Sequence, residues 1–185
     1  MIDIRFRNVG SIGNRIDKGC DIQKIDDSIS IDVSYCESTK ETFVIDSGGV
    51  IQRLDLRDAS VEIILQSNGH DRICCDTQGT KIVALGGAAE VELFQRIEMN
   101  QEFDQRGVFD VGDGAVDADF NDDGSRLGIL GDGGVVVVFD VHSQNELLRL
   151  ATNGQSNHPS RIRFSRNGKQ LAATKGRDLS VWNGQ

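Results

Sequence analysis

From residue 29 onward the apolar positions fall in short bursts separated by turn-forming residues, and residues 120–141 show the pattern most plainly. Phe120 ends an apolar/polar alternation. Asn121-Asp122-Asp123-Gly124 supplies a turn, and residues 127–130 are apolar. Gly131-Asp132-Gly133-Gly134 turns the chain again, and residues 135–141 form a β-branched run. Apolar runs this short, bounded by Gly, Asn and Asp, read as strands joined by tight turns. No stretch carries the periodicity of a long amphipathic helix.

The unit repeats in columns. The residue before the first turn is read as Val33, Cys75, Phe120 and Phe164, at steps of 42, 45 and 44. The turn glycine is Gly79, Gly124 and Gly168. The bulky residue near the end of the third strand is Leu54, Phe94, Phe139 and Trp182, each followed by a short polar residue or amide: Asp55, Gln95, Asp140 and Asn183. A period of ~40–45 residues with four strands per unit is that of a β-propeller blade.

The expected fold is therefore all-β, with about four blades of four-stranded antiparallel sheet in one domain over residues 1–185. The blades span 29–66, 73–110, 116–150 and 161–185, after a partial blade at 1–28. Blade one has strands at 29–33, 42–46, 50–56 and 61–65, and its first turn, 35–41, reads as longer than the others and lacks the glycine. Blade two has strands at 73–75, 81–85 and 90–95, then something irregular between 102 and 111. Blade four has strands at 161–164, 170–174 and 179–182 and lacks an outer one. In the first 28 residues, 2–7 alternates like a third strand and 15–25 could be an outer fourth; a shortened blade start is the rival reading. An open or incomplete arc is expected, with Val181 and Trp182 facing solvent until a second copy or a partner chain completes the propeller. The alternative is a small ring closed by the N-terminal strands.

Residues 164–183, FSRNGKQLAATKGRDLSVWN, resemble a repeat of the WD-repeat β-propeller family: a Phe-Ser, a glycine turn, a small-residue strand, a charged turn, then Val-Trp and a polar residue. Phe139-Asp140 stands at the Trp-Asp place of another blade, and Asn68-Gly69-His70-Asp71 sits where the family carries Gly-His. No blade has a true Trp-Asp pair, so the His–Asp network that the family often builds inside a blade is mostly missing. The resemblance covers about residues 29–185 and implies an architecture rather than a function.

Composition adds limits. Net charge is −9, whereas a phosphate-backbone binder needs a basic face, so nucleic acid is disfavoured. No apolar run approaches the ~18 residues of a membrane span, and the N-terminus lacks the pattern of a secretory signal. A cytoplasmic protein with reduced thiols is the expectation. Aromatic residues are only 5%, so aliphatic side chains must carry much of the core. Of the four cysteines, Cys20, Cys36, Cys74 and Cys75, none form a Cys-x-x-Cys pair. Cys74 and Cys75 should point to opposite faces of one strand and act as small buried hydrophobes.

The chemical motifs are weak. Residues 119–124 match the start of a helical calcium loop, but position 12, which needs a bidentate Glu, is Leu130. The glycines at 131–134 lead into a strand, not the helix a phosphate loop requires. His70, His142 and His158 fit no zinc spacing, and no nucleophile motif is present. No catalytic, cofactor-binding or metal-binding residue is assigned.

A scaffold's loops are the more informative feature. In the WD-like strand order, the fourth-to-first and second-to-third connections share one face. That face would hold Asp26, Asp27, Asp46, His70, Asp71, Asp113, Asp132, Lys175, Arg177 and Asp178. Asp46, His70, Asp71, Asp113, Asp132, Arg177 and Asp178 are the candidate partner-binding residues. The function expected is a non-enzymatic protein–protein interaction scaffold, with no membrane partner. The alternative is a propeller enzyme or a ligand- or metal-binding propeller with its site at the central channel.

Overall fold

A computed structural model describes residues 31–55, 58, 60–86, 88–99, 101–152 and 160–183. The expected partial blade at 1–28, Asp26, Asp27 and His158 lie outside the described residues. Every regular element is a strand, and no helix there is long and apolar enough to cross a membrane.

The strands make four antiparallel sheets, each a meander of sequential neighbours. Blade one is β1 (Ile31–Tyr35), β2 (Thr42–Asp46), β3 (Val50–Asp55) and β4 (Ser60–Gln66). Blade two is β5 (Arg72–Cys75), β6 (Lys81–Leu85), β7 (Glu90–Gln95) and β8 (Asp104–Asp110). Blade three is β9 (Ala115–Phe120), β10 (Arg126–Gly131), β11 (Val135–Asp140) and β12 (Glu146–Ala151). Blade four has three strands among the described residues, β13 (Arg161–Phe164), β14 (Gln170–Lys175) and β15 (Asp178–Asn183). The described residues thus form an all-β arc of four propeller blades, and that arc is not closed.

The turn glycines behave as the columns require. Gly79, Gly124 and Gly168 adopt φ of 68°, 66° and 66°, the left-handed region that a Cβ disfavours. The third-strand column is also in phase. Leu54, Phe94, Phe139 and Trp182 pair with Thr42, Ile82, Leu127 and Leu171.

Blade one corrects its reading at two points. Tyr35, not Val33, is the residue before the first turn: it pairs with Thr42 as Phe120 pairs with Leu127. The turn is also no longer than the others. The Cys36 N–H donates to the Glu41 carbonyl at 2.9 Å, as Asn121 N–H does to Arg126 at 3.1 Å. Thr39 stands where the other blades carry the turn glycine, and the left-handed residue here is Lys40, one place later at φ 62°, whose N–H donates to the Cys36 carbonyl at 2.9 Å; without the glycine the phase was hidden. In blade two, the segment expected to be irregular is the regular strand β8. A bulge between Leu93 and Phe94 breaks its alternation against β7, and each complete blade carries such a bulge between its third and fourth strands.

The middle strands of blades two and three are covered on both faces by neighbouring blades, which explains the continuous apolar runs at 82–85 and 135–139. Three hydrophobic layers fill the seams. Phe43, Ile45, Ile51, Ile73 and Ile82 join blades one and two. Val83, Leu93, Phe109, Leu127, Ile129 and Phe139 join two and three. Leu130, Val136, Ile162 and Leu171 join three and four. Each fully buried aliphatic of this kind contributes about 1.5–3 kcal/mol. Trp182 packs against the third layer rather than facing solvent, while Val181 is 52% exposed. Neighbours on a strand point to opposite faces, so the expectation held for only one of the pair.

Candidate functional site

The inner strands β1, β5, β9 and β13 run alongside one another, and short polar side chains fasten each to the next. Asp32 Oδ2 accepts the Ile73 N–H at 3.0 Å, and Ser34 Oγ accepts the Cys75 N–H at 3.0 Å. Two blades later the same positions repeat the device. Asp117 Oδ2 accepts the Ile162 N–H at 2.9 Å, and Asp119 Oδ2 accepts the Phe164 N–H at 2.7 Å. Alternate residues on a strand share a face, so two acceptors two residues apart can serve two donors two residues apart. At the middle seam the positions hold Arg72 and Cys74, and Arg72 donates instead to the Val116 carbonyl.

A cleft of about 100 Å³ opens along this wall, lined among others by Ser34, Cys74, Cys75, Asp119 and Arg163. Arg163 Nη1 lies 3.0 Å from Asp117 Oδ2, whose side chain is fully buried. Burial pushes the Asp119 carboxyl up to about 6, against the opposing pull of the Arg163 charge and the Phe164 N–H. Burial would lower the Arg163 guanidinium, but the charges of Asp117 and Asp119 hold it above its ordinary value. Burial raises the Cys74 thiol, and the Asp119 charge adds to the shift. The wall therefore offers a cation, a carboxyl that titrates near neutrality, and a protonated thiol. It can hold a small polar group, but Cys74 is no activated nucleophile.

On the loop face the expected residues divide into two sets. Asp46 holds its own turn, its Oδ1 accepting the Gly48 and Val50 N–H groups at 2.8 and 3.0 Å. Asp71 and Asp113 fold over the ends of second strands. A Cβ on Gly86 would meet the Asp71 carboxylate, and one on Gly131 the Asp113 carboxylate; Gly86, at φ 147°, also holds a backbone conformation that favours glycine. Asp113 Oδ2 also accepts the Gly133 N–H at 2.6 Å. His70 is 3% exposed, with Nε2 3.7 Å from Glu92 Oε2, so this candidate docking residue offers no accessible surface. Asp132, Arg177 and Asp178 are exposed. Asp132 and blade four's second turn adjoin, because Lys175 Nζ donates to the Asp132 carbonyl.

The calcium-like stretch serves its turn and the seam. Asn121 Oδ1 accepts the Arg126 N–H at 2.8 Å, Asp123 Oδ1 accepts the Ser125 N–H at 2.8 Å, and Asp119 reaches Phe164. Among the described residues no three His, Cys, Asp or Glu side chains gather as a metal site.

Sequence reasoning missed Arg96. Its side chain is buried at the seam of blades one and two, where Nε donates to the Gly79 carbonyl at 2.9 Å and Nη2 to Glu41. The guanidinium also lies 4.8 Å over the Phe103 ring. Burial raises the Glu41 carboxyl, but the hydrogen bond and charge of Arg96 outweigh it and hold Glu41 below the usual carboxylate range. No local motif marks a pair separated by 55 residues. Its one signal was an Arg directly after a third strand of apolar character.

No family model matches the chain, and no curated protein does. Among solved structures, the chain is similar to the one titled Kuenenia stuttgartiensis hydrazine synthase, with a TM-score of 0.65 and 16% identity. The match covers 81% of this chain and 44% of that one, so this chain spans less than half of its neighbour's length. At that identity the likeness is one of fold alone.

Proposed function

We propose that the chain is a non-enzymatic protein-interaction scaffold of the WD-repeat type. One observation carries the reading: the exposed charges of Asp132, Arg177 and Asp178 stand on adjoining turns whose backbones are pinned. Asp132 N–H donates to the Gly114 carbonyl at 2.7 Å, and its own carbonyl accepts from Lys175. A fixed backbone presenting charged tips suits recognition of a polar protein segment, because little is left to order on binding. The net charge of −9 keeps nucleic acid out of the proposed partner set.

The test is affinity capture with the purified chain and with an Asp132→Lys, Arg177→Glu, Asp178→Lys variant of unchanged melting temperature. A protein held by the unaltered chain and lost by the variant supports the proposal. Equal capture by both, or none by either, defeats it. The cleft beside Asp119 and Arg163 favours a second reading, a propeller that binds a small polar ligand there. A rise of several degrees in melting temperature with a small anion such as inorganic phosphate, lost in Arg163→Ala, would favour that reading instead.

A further inference from the structure

We infer that the cleft between the first turns of blades three and four binds a phosphate group, held by the side chains of Arg126, Arg166 and Lys169. The cleft has a volume of about 370 Å³, within the ~300–1,000 Å³ of small-ligand clefts. It lies at the opposite end of β10 from Asp132, away from the loop face discussed above.

Two equivalent corners of the arc differ in one residue. In blades two, three and four, the residue after the first strand donates its N–H to the carbonyl five places on. Asp76 reaches Lys81 at 3.0 Å, Asn121 reaches Arg126 at 3.1 Å, and Ser165 reaches Gln170 at 2.9 Å. Asp76, Asn121 and Ser165 therefore share one place, and Lys81 and Arg126 share another. Blade two fills its corner with an ion pair, Lys81 Nζ lying 3.3 Å from the fully buried Asp76 carboxylate. The next blade's turn closes on that pair: a Cβ on Gly124 would meet Asp76 Oδ2 and Lys81 Nζ, each at 3.0 Å. Blade three keeps the cation as Arg126 but carries the neutral Asn121 in place of the acid. Gly168, in the place of Gly124, stands further off, with a Cβ there 3.9 Å from Asn121 Cβ and Nδ2.

The second corner thus retains its cation without the carboxylate that neutralises it next door. Ser165 is uncharged too, and Arg166 and Lys169 bring two more cations. All three cations are exposed, and none is held in an ion pair among the described residues. The lining holds two acids, Asp122 and Asp123, so three cations against two carboxylates leave it positive in a chain of net charge −9. Asp123 Oδ1 is turned to the Ser125 N–H at 2.8 Å. Asp140, opposite Arg126 in the ladder, is turned to the Ser143 N–H at 2.7 Å. The walls are set in advance. Asn121 Oδ1 accepts the Arg126 N–H at 2.8 Å, Asn167 Oδ1 accepts the Lys169 N–H at 3.1 Å, and Thr77 Oγ1 donates to the Asp122 carbonyl at 2.6 Å. Two guanidinium groups and an ammonium supply charge-assisted donors suited to phosphate oxygens, and fixed turns leave little to order on binding.

The test titrates the isotope-labelled full chain with sodium phosphate at constant ionic strength and follows backbone amides by NMR. Saturating shifts at Ser125, Gly168 and Lys169 are expected. O-phosphoserine should move the same amides, and serine should not. Either phosphate source supports the site: tighter binding of phosphoserine marks a phosphorylated ligand, and tighter binding of phosphate marks the free ion. An Arg126→Gln, Arg166→Gln variant of unchanged melting temperature should lose the response. Arg163→Ala should keep it, which separates this site from the cleft beside Asp119. Asn121→Asp restores the acid of blade two and still accepts the Arg126 N–H, so it should weaken phosphate binding several-fold while the fold persists. Shifts reproduced by sodium chloride, a response kept in the double variant, phosphate binding unchanged in Asn121→Asp, or a response lost only in Arg163→Ala would each overturn the inference.

Discussion

Asp117 and Ile162 are 45 residues apart in sequence, and the carboxylate of the first accepts the backbone N–H of the second at 2.9 Å across the seam between blades three and four. Both residues are fully buried. Removing the acceptor leaves a strand donor and the neighbouring Arg163 cation without it. Asp117→Ala should lower unfolding stability by ~1–3 kcal/mol, while Asp117→Asn, which keeps an acceptor, should lose less. Denaturant midpoints compare the two; equal midpoints for Asp117→Ala and the unaltered chain would refute the role of this contact.

Asp119 gives a pH signature. Its folded value of about 6 stands above the ordinary value of 3.8, so the folded chain holds the proton over a window where the unfolded chain has released it. Stability from this group is full below the unfolded value and declines as pH rises toward 6, a loss of ~2–3 kcal/mol in all. Asp119→Asn keeps an acceptor for Phe164 and cannot titrate. Its stability should therefore exceed that of the unaltered chain at pH 8 and converge with it at low pH. Parallel pH profiles would reject the assignment.

Glu41 runs in the opposite sense. Its folded value is lowered, so the stability it brings is present above the unfolded value of 4.5 and is lost as pH falls through the folded one. Its partner Arg96 has a side chain 1% exposed, and breaking such a pair strands a buried cation. Glu41→Ala should cost ~3–5 kcal/mol near neutral pH. Thermal melts from pH 3 to pH 7 should show the two proteins approaching each other at the acid end.

Phe139 and Phe164 separate a fully enclosed side chain from a partly covered one. Phe139 is 5% exposed, with its ring centroid 4.9 Å from that of Phe109. Phe139→Ala should destabilise by ~3–5 kcal/mol through the cavity it leaves. Phe164 is only partly buried against the third layer, so Phe164→Ala should cost less. Chemical denaturation tests the order, and a larger loss at Phe164 would contradict the packing.

What could be read in advance followed local chemistry. Gly79, Gly124 and Gly168 announced their turns because a left-handed residue is costly for any side chain with a Cβ. The column through Leu54, Phe94, Phe139 and Trp182 kept phase because every blade buries the same place on its third strand. Blade one was misread by two residues because its first turn carries Thr39 at the glycine place and shifts the left-handed residue to Lys40. The β8 strand looked irregular because a bulge shifts its alternation. The seam acceptors Asp32, Ser34, Asp117 and Asp119 were invisible as a set, since blade two has Arg72 and Cys74 at those positions. Arg96 and Glu41 meet only once two sheets are stacked. On the loop face, exposure could not be told from turn-holding, since Asp46 and Asp132 are the same residue type in similar turns.

The sequential stacking of the sheets has a mechanical consequence. Each blade touches only its neighbours, so a load applied along the chain is borne seam by seam rather than shared through one central core. Drawn from its C-terminal side, the described arc should give first at blade four, where β15 has one strand neighbour and tension reaches the Asp117 and Asp119 contacts directly. The Arg96–Glu41 clamp holds the first two blades together and should be among the last to slip. Extension would then proceed in blade-sized steps, making the arc behave as a graded spring rather than a single latch.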